Sequence, residues 1–472
     1  MRCISRAKSA ALVCVVSVSL FTGGCIGGKG ATPVTAYELK NYNQNLYQGK
    51  LYAEDLCVAQ NDVALEGYTE DTELHSAALF DLTGERVLYS YKAHERLYPA
   101  STTKIMTCIL VLENAKGEEE VSISAYAATM PKVKLYVKKG EHYTVRELLF
   151  SLMLESHNDA AAALAEYIGG KLLGETKEAS EHTTEESKAA LHRFAQAMNE
   201  KAVEIGCEDT WFITPNGLDA TETLTLPDGS ILEKEHHTTA KDLACILRYC
   251  IRESSQRDLF REITRTQEYC FTENGRSFQC HNHNAFLQMM DGAFTGKTGF
   301  TNKAGYCYVG ALERDGKCMI VALLACGWPN HKTYKWSDSR ELFGYGLENF
   351  VYRKFGEEEF SGREQYLMPI PVTEAQDEEL TGEVQLAVEL DPEAEGAEGL
   401  LMRADEKVEI LYRKEKELKA PVKEGTTVGE ICYLVDGEIW RRERLYAAWT
   451  VEAVDLSWCG RQILKRFLVA FP

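Results

Sequence analysis

"YPASTTKIMTC", residues Tyr98 to Cys108, sets a hydroxyl and an amine three positions apart at the mouth of an apolar run. Ile105, Met106, Ile109, Leu110 and Leu112 follow at the spacing of a helical face turned into a core, so Ser101 and Lys104 share one side of the first turn. Serine is also a frequent helix-start residue. A second S-x-x-K occurs at Ser5 and Lys8, inside a stretch with the layout of an export signal. The pair alone does not separate catalysis from capping, and the flanking chain has to decide.

Upstream, "SAALFDLTGERVLYSYKA" from Ser76 predicts two strands joined near Thr83-Gly84. Downstream, Thr144 and Glu147 form a T-x-x-E capping box ahead of Leu148, Leu149 and Leu152. That helix ends at "SHND", and "AAAALAEYIGG" predicts a second one stopped by Gly169-Gly170. The polar run Gly174 to Lys188 reads as a mobile surface excursion. "AGYCYVGALERDGKCMIVALLACG" predicts a hairpin about Asp315-Gly316, a pair that supplies the positive backbone dihedrals of a tight turn. Helices between outer strand groups imply an α+β layer arrangement.

Two further tripeptides give the opening pair its meaning. Ser156-His157-Asn158 lies in the break between two helices, and Lys297-Thr298-Gly299 lies just before the hairpin. Singly, Ser156 could cap the next helix and Lys297 could be a solvated strand residue. In this order, S-x-x-K, S-x-N and K-T-G form the motif set of penicillin-binding proteins and class A β-lactamases. With "NHNAFL" (282–287), "HTTAKDLA" (237–244) and "FITPNGL" (212–218), the chain resembles the low-molecular-mass penicillin-binding proteins, serine-type D-alanyl-D-alanine carboxypeptidases. Thr214 stands where that family usually has Asn, which bears on loop packing more than on chemistry. A class A β-lactamase would also carry a downstream E-x-x-L-N segment, and none follows Asn158. An endopeptidase or transpeptidase on the same polymer, and an inactive wall-binding relative, remain alternatives.

The resemblance covers residues 70 to 350 and, more weakly, the region of "APVKEGTTVGEI". It implies a penicillin-binding, serine β-lactamase-like transpeptidase fold: an antiparallel sheet with helical layers and a helical subdomain. It further implies Ser101 as nucleophile, Lys104 as its base and Ser156 as a proton relay. Asn158, Lys297, Thr298 and Gly299 would bind substrate, and the backbone N–H groups of Ser101 and Phe300 would form the oxyanion hole. Neither a metal nor an organic cofactor is implied; peptidoglycan stem peptides would be substrates and β-lactams inhibitors. The chemistry is self-consistent. A serine hydroxyl needs a nearby base, and a lysine serves when burial, a helix N-terminus and a second cation such as Lys297 keep it neutral. A cation with a hydroxyl suits the free carboxylate that an exopeptidase must recognise, and Gly299 would let substrate backbone approach the strand.

The remainder of the chain bounds location and organisation. Arg2, Arg6 and Lys8 precede an apolar run from Ala10 to Phe21, so residues 1–24 read as an export signal; a membrane anchor, or lipidation at Cys25, is the alternative. The net charge of -20 becomes -20 - 3 = -23 without that segment, which excludes nucleic acid or an anionic polymer as partner of the main body. Fifteen cysteines are scattered without C-x-x-C spacing, and Cys245, Cys307 and Cys318 lie in apolar stretches, so they are expected to pack as small hydrophobes. The expected organisation is a linker over 25–70, a catalytic domain over 71–352, a linker over 353–367, a β-rich accessory domain over 368–452 and a basic amphipathic helix over 453–472. The β domain rests on the alternation in "EVQLAVEL", on "VEILY" and on a hairpin at Asp436-Gly437. In the last helix Leu456, Ile463, Leu464, Phe467, Leu468 and Phe471 take one face and Arg461, Lys465 and Arg466 others, a pattern suited to an anionic membrane surface.

Overall fold

The structure is a computed structural model that describes residues 76–82, 86–226, 228–355, 367–377, 380–388, 399–435 and 437–469. The export-signal, Cys25 and lead-in expectations, the Thr83-Gly84 turn and Phe471 lie outside these residues. Two compact units emerge: one runs to Leu82 and resumes from Val87 to Glu348, and the other takes in Arg86 and the chain from Asn349 onward.

The first unit is built on a five-stranded sheet. Its strands are β1 (Ser76–Asp81), β2 (Arg86–Tyr91), β3 (Ala293–Thr301), β4 (Gly305–Arg314) and β5 (Lys317–Leu324), in the order β2-β1-β5-β4-β3. β1 pairs antiparallel with β5, and β4 with both β5 and β3. Strands far apart in sequence thus close one sheet, with most of the helices inserted between β2 and β3 and one, Tyr334–Asn349, following β5. Arg314 opposes Lys317 across Asp315 (φ 55°) and Gly316 (φ 72°), the two-residue primed turn that Asp-Gly favours.

The opening stretch folds in two steps. Ala100–Thr103 is a 3-10 turn, and helix α1 proper runs Lys104–Asn114, so Ser101 sits just ahead of the α-helix instead of in its first turn. Lys104 to Leu112 are all buried, because α1 is enclosed on every side and not on one face. The capping box at Thr144 and Glu147 is formed in both directions. A short π-type turn, Ser151–Glu155, follows, and then helix α2, Asn158–Leu173.

Two expectations are corrected here. Gly169-Gly170 does not stop α2, which continues to a left-handed cap at Gly174. A Cβ on Gly169 would lie 1.9 Å from the carbonyl oxygen of Ala190, so this glycine serves a close helix crossing. The partner is helix α3, Thr184–Ile205, which begins inside the stretch read as a mobile excursion. Its Thr183/Glu186 capping box and buried Ser187 order that segment, a signal hidden by its polar composition.

The second unit has its own core of residues including Ile370, Val384, Leu400, Ile431, Tyr433 and Leu445. A four-stranded sheet places Leu386–Val388, Glu438–Ala447, Thr427–Val435 and Val408–Lys414 side by side. "EVQLAVEL" contributes two strands in different sheets, Thr381–Val384 and Leu386–Val388, where one was expected. Residues placed at the start of a linker form a strand instead, Val351–Lys354, paired with Gly399–Met402. Leu456–Val469 is helical, and Leu456, Ile463, Leu464 and Phe467 are each more than half exposed. Among the described residues no helix is long and apolar enough to cross a membrane.

Candidate active site

Three segments distant in sequence converge beside the 3-10 turn. The Lys104 amine is fully buried and lies 2.8 Å from Ser101 Oγ, 3.0 Å from Asn158 Oδ1 and 2.6 Å from the Asn216 carbonyl oxygen. Burial first, and the nearby Lys297 cation second, hold its pKa well below the ordinary lysine value. Lys297, on β3, is buried as well and is lowered to about 7 by that burial. Its amine reaches the Thr298 carbonyl oxygen at 3.2 Å. Among the described residues neither lysine has a carboxylate within ion-pair distance. A neutral amine adjoining a hydroxyl can accept its proton, and a second, protonated amine can receive an anion.

Ser156 closes the π-type turn in a left-handed conformation, φ 65° and ψ 32°. A non-glycine residue held there costs about 1–2 kcal/mol, and such strain collects where a side chain must be aimed. Its Oγ is buried and has no hydrogen-bond partner among the described residues, while the neighbouring His157 is tied to Ser151 Oγ at 2.7 Å. His157 is lowered by burial and lies outside the lysine–serine contacts. Asn158 is fixed from two sides: its Nδ2 donates to the Pro131 and Lys132 carbonyls at 3.3 and 3.1 Å, which turns Oδ1 towards Lys104.

Gly299 sits against the 3-10 turn. A Cβ there would stand 2.9 Å from the Ser101 nitrogen and 3.0 Å from the Pro99 carbonyl oxygen. The missing side chain therefore lets β3 close on the 3-10 turn. Thr298 is part-exposed, and the Phe300 ring is exposed and rests 4.6 Å from Tyr306.

Sequence reasoning missed three contributors. The Asn216 carbonyl oxygen has no sequence signal because any residue carries one. His236 is buried and lowered to about 3, hence neutral; its Nδ1 accepts from Ile213 N at 2.9 Å and its Nε2 faces Thr103 Oγ1 at 2.9 Å. It ties the "FITPNGL" loop to the residue before Lys104. Asp159 accepts from the backbone of Leu135, Tyr136 and Val137; a carboxylate opening an alanine-rich buried run was its signal. Thr214, the departure in that loop, donates through Oγ1 to the Leu218 carbonyl oxygen at 2.9 Å and is a local packing feature. Among the described residues no cluster of three His, Cys, Asp or Glu side chains could hold a metal ion.

Comparison with known proteins shows the family. The family described as D-alanyl-D-alanine carboxypeptidase, peptidase S11, matches residues 64–174 and 182–326, and the C-terminal domain of penicillin-binding protein 5 matches residues 403–453. The chain is 26% identical over 375 residues to D-alanyl-D-alanine carboxypeptidase DacF of Bacillus subtilis, covering 78% of this chain and 83% of that one. It is 30% identical over 272 residues to DacB2 of Mycobacterium tuberculosis, covering 57% and 80%. Penicillin-binding protein 5 of Haemophilus influenzae shares the fold, with a TM-score of 0.55 at 23% identity over 80% of this chain and 97% of that one. With a family match over more than half its length, the chain belongs to the D-alanyl-D-alanine carboxypeptidase family of serine peptidases.

Proposed function

We propose that Ser101 removes the terminal D-alanine from peptidoglycan stem pentapeptides through an acyl-enzyme. The observation that carries the reading is the 2.8 Å contact between Ser101 Oγ and a buried Lys104 amine whose pKa is lowered. Neutral Lys104 takes the hydroxyl proton as Oγ attacks the penultimate D-alanyl carbonyl. The Ser101 and Phe300 amides face the oxygen as charge develops on it. Ser156 relays the proton held by Lys104 to the departing D-alanine amine, which leaves Lys104 neutral and Ser156 a hydroxyl again. Water, giving its proton to Lys104, then hydrolyses the Ser101 ester. Asn158 holds the substrate amide, while protonated Lys297 and the Thr298 hydroxyl receive the terminal carboxylate. β-Lactams mimic the D-alanyl-D-alanine end and acylate the same oxygen.

The same reading sets the enzyme outside the cytoplasm, delivered by residues 1–24. The helix Leu456–Val469, with its exposed apolar side chains beside Arg461, Lys465 and Arg466, lies against an anionic membrane surface. Purified protein incubated with diacetyl-Lys-D-Ala-D-Ala tests the chemistry. D-Alanine release and labelling by fluorescent penicillin, both lost in Ser101→Ala, are the expected results. Labelling that survives in Ser101→Ala would move the nucleophile elsewhere.

A further inference from the structure

The backbone strap 131–137 borders the site without carrying any of the motif residues. It is stitched to the start of α2 at several points. Asn158 N donates to the Val133 carbonyl oxygen at 2.8 Å, and Asn158 Nδ2 donates to the Pro131 and Lys132 carbonyls. Asp159, fully buried, then receives Leu135 N at 2.8 Å on Oδ1 and Tyr136 N and Val137 N at 2.8 and 3.2 Å on Oδ2. Its own helix adds Ala160 N at 3.0 Å. Four N–H donors saturate the acceptor capacity of an ionised carboxylate. Leu135 and Val137 anchor the strap in the core, whereas Val133 and Tyr136 are at least half exposed, so apolar burial fixes two of its side chains and the Asp159 contacts fix its amides.

We propose that Asp159 is a positioning residue for acyl transfer, acting through the strap on the orientation of Asn158. The carboxylate gathers three consecutive amides and so fixes where the carbonyls of Pro131 and Lys132 stand. Those carbonyls hold the Asn158 amide with its nitrogen outward. Its oxygen is thereby left to accept from Lys104, which keeps the amine aimed at Ser101. An asparagine at 159 would offer one acceptor oxygen and turn an NH2 towards N–H groups, breaking the arrangement at its root.

The proposal rests on Ser101 acylation with Lys104 as base, and its test separates the two. Asp159→Asn is expected to acylate with fluorescent penicillin about ten- to a hundredfold more slowly than wild type, the scale of a displaced catalytic group. Combined with Asn158→Ala, the same substitution is expected to cost less than about threefold more, because both act through one amide. Glu166→Gln, which removes another buried carboxylate of α2 without touching the strap, is expected to lower the melting temperature comparably and leave acylation within about threefold of wild type. Amide hydrogen exchange over 131–137 is expected to quicken in Asp159→Asn whether or not the enzyme is active. Multiplicative effects in the double variant, or unchanged exchange in the strap, would overturn the proposal. Absence of wild-type acylation would overturn the Ser101 reading and leave the exchange result to decide on Asp159.

Discussion

Two buried polar clusters of the first unit invite comparison. Around Glu166 a buried carboxylate gathers three donors: Ser124 Oγ, His182 Nδ1 and Ser187 Oγ converge on it at 2.5, 2.9 and 2.6 Å, although His182 Nε2 finds no hydrogen-bond partner among the described residues. Around Lys104 no acidic group plays that part. Two lysines are buried within each other's field, no carboxylate balances them among the described residues, and Ser156 Oγ lacks a partner. The first cluster orders structure, tying α2, the start of α3 and the Ser124 turn together. The second stores unfavourable electrostatics that a substrate carboxylate and a reacting hydroxyl would relieve. Burial alone does not mark a site; burial of like charge without compensation does.

The comparison breaks most visibly at the nucleophile. Ser101→Ala should lower D-alanine release about a thousandfold or more, with little change in melting temperature. A variant retaining a tenth of the activity would return the Lys104 cluster to the structural class. A smaller and opposite outcome is expected from Glu166→Gln. It should cost about 1–3 kcal/mol of stability in denaturant titration, since three donors lose a charged acceptor, while turnover stays near wild type. Loss of turnover at unchanged stability would blur the distinction between the clusters. Deleting residues 453–472 should have the least effect on chemistry. The expected result is release of exported protein from anionic vesicles in a sedimentation assay, at unchanged kcat/KM; retention would place the anchor elsewhere.

The site was more legible in the sequence than its supports. Ser101, Lys104, Ser156, Asn158 and Lys297 announce themselves because side-chain chemistry demands particular residue types at particular spacings. The hairpin at Asp315-Gly316 and the Thr144 capping box were readable for the same local reason. What escaped notice depends on contacts between segments distant in sequence. Gly169 resembles a helix stop until the Ala190 carbonyl is seen against it, and the close approach of Gly299 to the Ser101 amide has no local signal. The carbonyl of Asn216 and the grip of Asp159 on the strap involve backbone groups that every residue possesses. The 174–188 segment misled because its polar composition outweighed one capping box.

Burial first and the Lys297 charge second keep Lys104 neutral beside Ser101. The pH dependence of Ser101 acylation by penicillin, compared between wild type and Lys297→Met, tests this most directly. Lys104 acts as base only when deprotonated, so acylation rises with pH through its apparent pKa. Removing the neighbouring cation removes a lowering influence, and the rising limb is predicted to move to higher pH in the variant. A limb that stays in place, or moves to lower pH, would contradict the account.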